Sequence, residues 1–250
     1  MLRWLLAIAF VSGCGSSKAP PATGPAAGTA PVTGSPPAAP PEIPPRTRDE
    51  LAQAVSDFAT ETATPRAGDA AFLLPPREAE LEWINDTGVA LQERLERALT
   101  LYDDSTNIMK RYSTGASADS AEALLWSESV IRVFGRLATA MVDEYLPTLS
   151  DQDPSYAARM EGMNKMRDGA FAMFRASVDT LKARRSPLES RRRLTAVWRL
   201  HAPRYAGLWR VDRCAQLVQW VQETLAREDD PALRGDLEAV ASAFGACRGR

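Results

Sequence analysis

The chain has 250 residues, with 30 Lys+Arg against 32 Asp+Glu, one His and three Cys, for a formal charge of −2. One imidazole excludes a His-Glu-x-x-His zinc site, and three scattered thiols exclude a four-cysteine cluster. Near-neutral charge argues against a general nucleic-acid binder, while the length permits one large domain or two small ones.

In chain order, Met1-Leu-Arg3 precedes an apolar run, Trp4 to Val11, and then Ser12-Gly13-Cys14. A basic residue, a short apolar run and small residues make a secretory signal, and the run is too short to stay in a bilayer as a span. Val11-Ser12-Gly13-Cys14 resembles the lipobox of bacterial lipoproteins. The resemblance covers residues 1–14 only. It implies cleavage after residue 13 and acylation of Cys14, whose buried acyl chains would hold the protein on a membrane. Gly15 in place of Asp implies, by the same resemblance, the outer membrane more than the inner.

Residues 15–47 contain ten Pro, seven Ala and four Gly, with Lys18, Glu42 and Arg46 the charged residues. So little apolar surface cannot offset the entropy of ordering, so 14–47 reads as a lipidated Cys followed by a disordered tether. In polyproline II it would reach up to roughly 100 Å.

Residues 48–250 lack alternating runs of β-branched residues and carry helix punctuation instead. The expectation is one all-α domain, a bundle of about six to seven helices. Thr47-Arg-Asp-Glu50 is a capping box opening a first helix to about Thr62. A second helix is expected from Arg77 to Tyr112, with Leu81, Ile84, Gly88, Leu91, Leu95, Ala98 and Tyr102 on one face. A third spans about 118–149, with Pro147 kinking or ending it. Asp153-Pro154 starts a fourth, running to about Arg184; Ser186-Pro187 a fifth; Ala202-Pro203 a sixth; Asp230-Pro231 a seventh. Cys214 and Cys247 lie equidistant from the Asp230-Pro231 turn and fall on the inner seams of the helices on either side. In an oxidising compartment they are expected to pair and clasp that hairpin.

Three features bear on function. Residues 48–181 hold 13 Lys+Arg against 23 Asp+Glu, whereas residues 182–213 hold ten against two. That basic block, with Arg184, Arg185, Arg191, Arg192, Arg193, Trp198, Arg199, Arg204, Trp209 and Arg210, reads as a possible contact surface for an acidic envelope protein or an anionic envelope component. Internal neutralisation by the acidic block is the competing reading. Second, Met160, Met163 and Met166, with Met173 beyond, offer soft sulfurs that suit Cu(I), or else fill a core. Third, Glu128-Ser129 faintly resembles the Glu-Ser of lytic transglycosylases, which would make Glu128 a general acid; the downstream Gly-Leu-Met-Gln element of that family is missing. His201, among basic residues near an expected helix end, reads as a capping or surface residue. No cofactor is implied. The expectation is a non-enzymatic, lipid-anchored envelope protein that binds a partner or scaffolds a complex, with a glycan-cutting enzyme and a copper-handling protein as alternatives.

Overall fold

Thr47 and Glu50 form the expected capping box: Thr47 Oγ1 accepts from the Glu50 amide, and Glu50 accepts from the Thr47 amide at 2.8 Å. They open α1 (Arg48–Thr60) in a computed structural model that describes residues 44–113 and 120–247. Cys14 and residues 15–43 of the tether lie outside the described residues, and the tether ends earlier than expected, because Arg46 belongs to the fold and donates to Glu80 through its amide at 3.0 Å and its guanidinium at 2.9 Å. There follow a 3-10 helix (Glu78–Asn85), α2 (Leu91–Tyr112), α3 (Ala121–Ala140), α4 (Tyr156–Ala183), α5 (Leu188–Ala206), α6 (Val211–Leu225) and α7 (Pro231–Gly245). The protein is all-α, and no described residue lies in a strand. No described helix is long and apolar enough to cross a membrane.

The helices are not packed in chain order. α3 lies between α2 and α5; α5 packs on α7, α7 on α6, and α6 on α4. Apolar stripes at three- and four-residue spacing explain the two central helices. Trp126, Val130, Val133, Phe134, Leu137 and Ala138 of α3 are all buried, as are Leu194, Trp198, Ala202 and Tyr205 of α5. The Tyr205 hydroxyl donates to the Ile131 carbonyl at 3.0 Å, so the seam between them is tied as well as greased.

Three boundaries differ from expectation. The second helix is interrupted at residues 86–90, where Asp86 accepts from the Gly88 amide at 2.9 Å and turns the chain. The apolar spacing runs straight across this break, so periodicity could not reveal it. Arg94 holds the break, donating to the carbonyls of Ile84 and Val89 at 2.9 Å each and reaching Glu144 with both terminal nitrogens. The third helix stops at Ala140 and passes into a π-turn (Met141–Tyr145), closed by the Leu146 amide on the Met141 carbonyl, and a 3-10 turn (Leu146–Thr148) containing Pro147. The π-turn places Glu144 within reach of Arg94. Pro203 does not start a helix; it sits inside α5. The buried stripe of α5 continues through Ala202 and Tyr205, so packing outweighs the hydrogen bond that Pro203 cannot donate.

The Asp230-Pro231 start is as expected, with Asp230 accepting from the Leu233 amide at 3.1 Å. Cys214 and Cys247 come together at disulfide distance, their Cα atoms 6.2 Å apart, across the α6–α7 hairpin.

Candidate functional site

The basic block is distributed over internal partners. Arg191 meets Glu228 at 3.0 Å, Arg192 meets Asp230 at 2.5 Å, Arg193 meets Glu128 at 3.2 Å and Arg199 meets Asp236 at 3.2 Å. Arg204 meets Glu78 at 3.3 Å, and Arg184 lies 3.8 Å from Asp229. Arg185 is exposed, and Arg210 is exposed 3.9 Å from Asp212. Trp198 and Trp209 require correction as surface residues, since they are 2% and 1% exposed. They belong to an aromatic core in which Trp198 meets Phe174 edge-on at 4.6 Å and Trp209 meets Phe244 at 5.6 Å. A tryptophan in a basic run is amphipathic enough for either place; here the core takes its area.

Three of the four methionines also go to packing, while Met160 is half-buried. Met163 and Met173 are buried, and Met166 lies against the core. Among the described residues, no group of three or more His, Cys, Asp or Glu is arranged to hold a metal ion. Glu128 is 1% exposed and clamped by Arg132 and Arg193, both at 3.2 Å. Burial pushes its carboxyl up, against the pull of both guanidiniums. A raised carboxyl suits an acid, but this one faces its own chain rather than a cleft. An open cavity of about 430 Å³ lies elsewhere, lined by Gln222, Leu225, Ala226, Arg234 and Glu238. Arg234 already donates there to the carbonyls of Leu225 and Glu228.

No protein family, curated protein or solved structure matches the chain. Its chemistry therefore has to be read from its own side chains.

A polar cluster surrounds His201, the residue whose surface reading the structure overturns. His201 is fully buried in α5. Its Nε2 lies 3.0 Å from Glu78 Oε2, and its Nδ1 lies 3.1 Å from Arg204 Nη1. Glu78 Oε1 also pairs with Arg136 at 2.6 Å and with Arg204 at 3.3 Å. One carboxylate from the 3-10 helix thus receives an imidazole and two guanidiniums from α3 and α5. Burial opposes ionisation of Glu78, yet His201 and Arg136 hold it down at about 2. Burial lowers the His201 imidazole, Glu78 pulls the other way, and Arg204 and Arg136 add to the lowering. Asn85, at the far end of the 3-10 helix, donates to the Arg136 carbonyl at 3.0 Å, so the helix is pinned to α3 at both ends.

Gly135 makes room for this cluster. A Cβ there would press on His201 Nδ1 and lie 2.8 Å from its Cγ. Gly135→Ala is expected to destabilise the fold by about 1–3 kcal/mol through overpacking, measured by urea unfolding. A neutral result would show that α3 and α5 can part at this point without cost. Sequence reasoning missed Glu78, Gly135 and Arg136. The one available signal was a glycine inside the apolar run Val133-Phe134-Gly135, which marks close approach without naming what approaches.

Proposed function

We propose that the protein is a lipid-anchored envelope lipoprotein whose helical domain binds a partner or scaffolds an envelope complex. The observation that carries this reading is Val11-Ser12-Gly13-Cys14 behind a basic and apolar leader, followed by a Pro-rich stretch that separates anchor from domain. A tethered domain needs no catalytic group to be useful, since linkage to a membrane raises its effective concentration beside other envelope components. The engagement of Glu128 by two arginines favours this reading over a glycan-cutting one. An exported chain would also meet the oxidising conditions that pair Cys214 with Cys247.

Cys14→Ala tests the anchor. The variant is expected to leave the membrane fraction for the soluble fraction, with the wild-type chain incorporating labelled fatty acid and the variant none. Unchanged membrane retention would overturn the lipid assignment. Crosslinking in cells followed by mass spectrometry tests the scaffold, and recovery of no partner above background would count against it.

A further inference from the structure

We propose that Arg132 and Arg193, on the outer edge of the α3–α5 seam, form a docking point for a carboxylate side chain of an acidic protein partner. This rests on the partner-binding reading above and gives it a surface and a chemistry.

α3 and α5 run in the same direction, since Glu128 meets Arg193 and, two turns on, Gly135 meets His201. Two arginine pairs line the seam, each with one member from either helix. Arg136 and Arg204 share Glu78, a carboxylate brought in by a segment that belongs to neither helix. Arg132 and Arg193 share Glu128, which comes from α3 itself. The difference lies in depth. The Glu128 side chain is 1% exposed, against 20% for Arg132 and 36% for Arg193, so this carboxylate sits beneath its guanidiniums. Among the described residues, no second carboxylate pairs with either arginine from the outside, as Glu78 does at the neighbouring pair.

Two guanidiniums on one carboxylate leave a net charge of +1. They leave donors as well. Arg132 gives Glu128 its Nη2, while Arg193 gives Nε to Glu128 and Nη2 to Ser190. Arg132 Nε and Nη1 and Arg193 Nη1 have no partner among the described residues, and none of the three is sealed from solvent. Glu189, one turn earlier on α5, is exposed and its charge acts on Arg192. Because Glu128 already holds both guanidiniums in place, an incoming group need not order them, which removes part of the entropic cost of binding. A guanidinium matches a carboxylate through two parallel hydrogen bonds. Glu78 is the precedent within the fold: the same seam takes that group from a segment outside its two helices. Charge and donors together therefore fit an Asp or Glu side chain on an acidic segment.

The probe is an N-acetylated, C-amidated hexaglutamate peptide, with hexaglutamine as the uncharged control and vesicles of phosphatidylglycerol as the competing surface. Titrated into the isotope-labelled full-length chain at about 20 mM salt, hexaglutamate should shift the Nε–H resonances of Arg132 and Arg193, and the effect should fade at about 200 mM. Arg132→Gln should weaken binding about tenfold, the effect of one charge-assisted pair. Glu128→Gln removes the competing charge but keeps an acceptor for both arginines, so it should strengthen binding at least about threefold. A residue that only packs the seam would not produce this gain. Arg185→Gln, outside the seam, should change neither result. Equal binding of hexaglutamine, shifts centred elsewhere, no gain in E128Q, or vesicles that shift these resonances where the peptide does not would each overturn the proposal. If R132Q does not fold, the gain in E128Q alone decides. Crosslinking in cells separates this surface from the reading beneath it. Partners recovered in equal yield from wild type and from R132Q would overturn the docking point and leave partner binding standing, whereas recovery of none from wild type counts against partner binding itself.

Discussion

Replacing Arg94 by Ala is expected to lower stability by about 2–4 kcal/mol, at about 1–3 kcal/mol for each backbone carbonyl left without its donor. Arg94 is 2% exposed, and its loss strands the Ile84 and Val89 carbonyls and leaves the part-exposed Glu144 carboxylate to solvent. These belong to the break before α2 and the π-turn after α3. The pairing with Arg94 also holds the Glu144 carboxyl below its usual range. For a folded unit of about 200 residues the loss corresponds to a drop in Tm of roughly 10 °C. Arg94→Lys should recover only part of it, because an ammonium cannot serve the carbonyls and grip both carboxylate oxygens together. Urea denaturation of the three proteins decides the matter, and a loss below about 1 kcal/mol would show that other contacts hold the break.

Removing the cysteine pair is the second large change. In the chain-entropy model, a crosslink between residues 33 apart restricts the unfolded chain by about 3–4 kcal/mol. The double variant Cys214→Ser, Cys247→Ser should unfold at correspondingly lower urea yet remain folded in buffer, since α7 keeps its packing against α5. Reductant should bring the oxidised wild type to the same midpoint and leave the variant unmoved. Equal midpoints for wild type and variant without reductant would mean that the pair contributes nothing to stability.

What the sequence disclosed was mostly local. The Thr47–Glu50 capping box and the Asp230-Pro231 start are written within four residues, and both are found as expected. The pairing of Cys214 with Cys247 followed because a hairpin relates its two arms through the turn. The break at residues 86–90 escaped notice because the stabilising residue, Arg94, acts across it and draws on Glu144, 50 residues further along the chain. The pairing of the basic block was hidden for the same reason. Its partners lie far off in sequence, Arg193 reaching Glu128 across 65 residues and Arg204 reaching Glu78 across 126, so a run of like charge in one dimension becomes a set of pairs in three. His201 was placed at a helix end because Pro203 follows it, and the continuous buried stripe of α5 carries the helix past that proline. Cys14 and residues 15–43 remain statements about sequence alone.

The spatial order of the helices also sets how the chain must assemble. In an up-and-down bundle each helix finds its partner just behind it. Here α3 and α5 form the central seam while residues 141–187, including all of α4, are looped away between them. Closing that loop is costly in entropy before the seam repays it, and the cost grows only slowly with length. The α6–α7 hairpin can form early from neighbouring segments and dock on α5, but the unit so made stays apart from α1–α3 until α5 has met α3. Relative to a simple helical bundle of equal size, the topology favours slower, later-committing folding, with the α3–α5 encounter as the step that limits it.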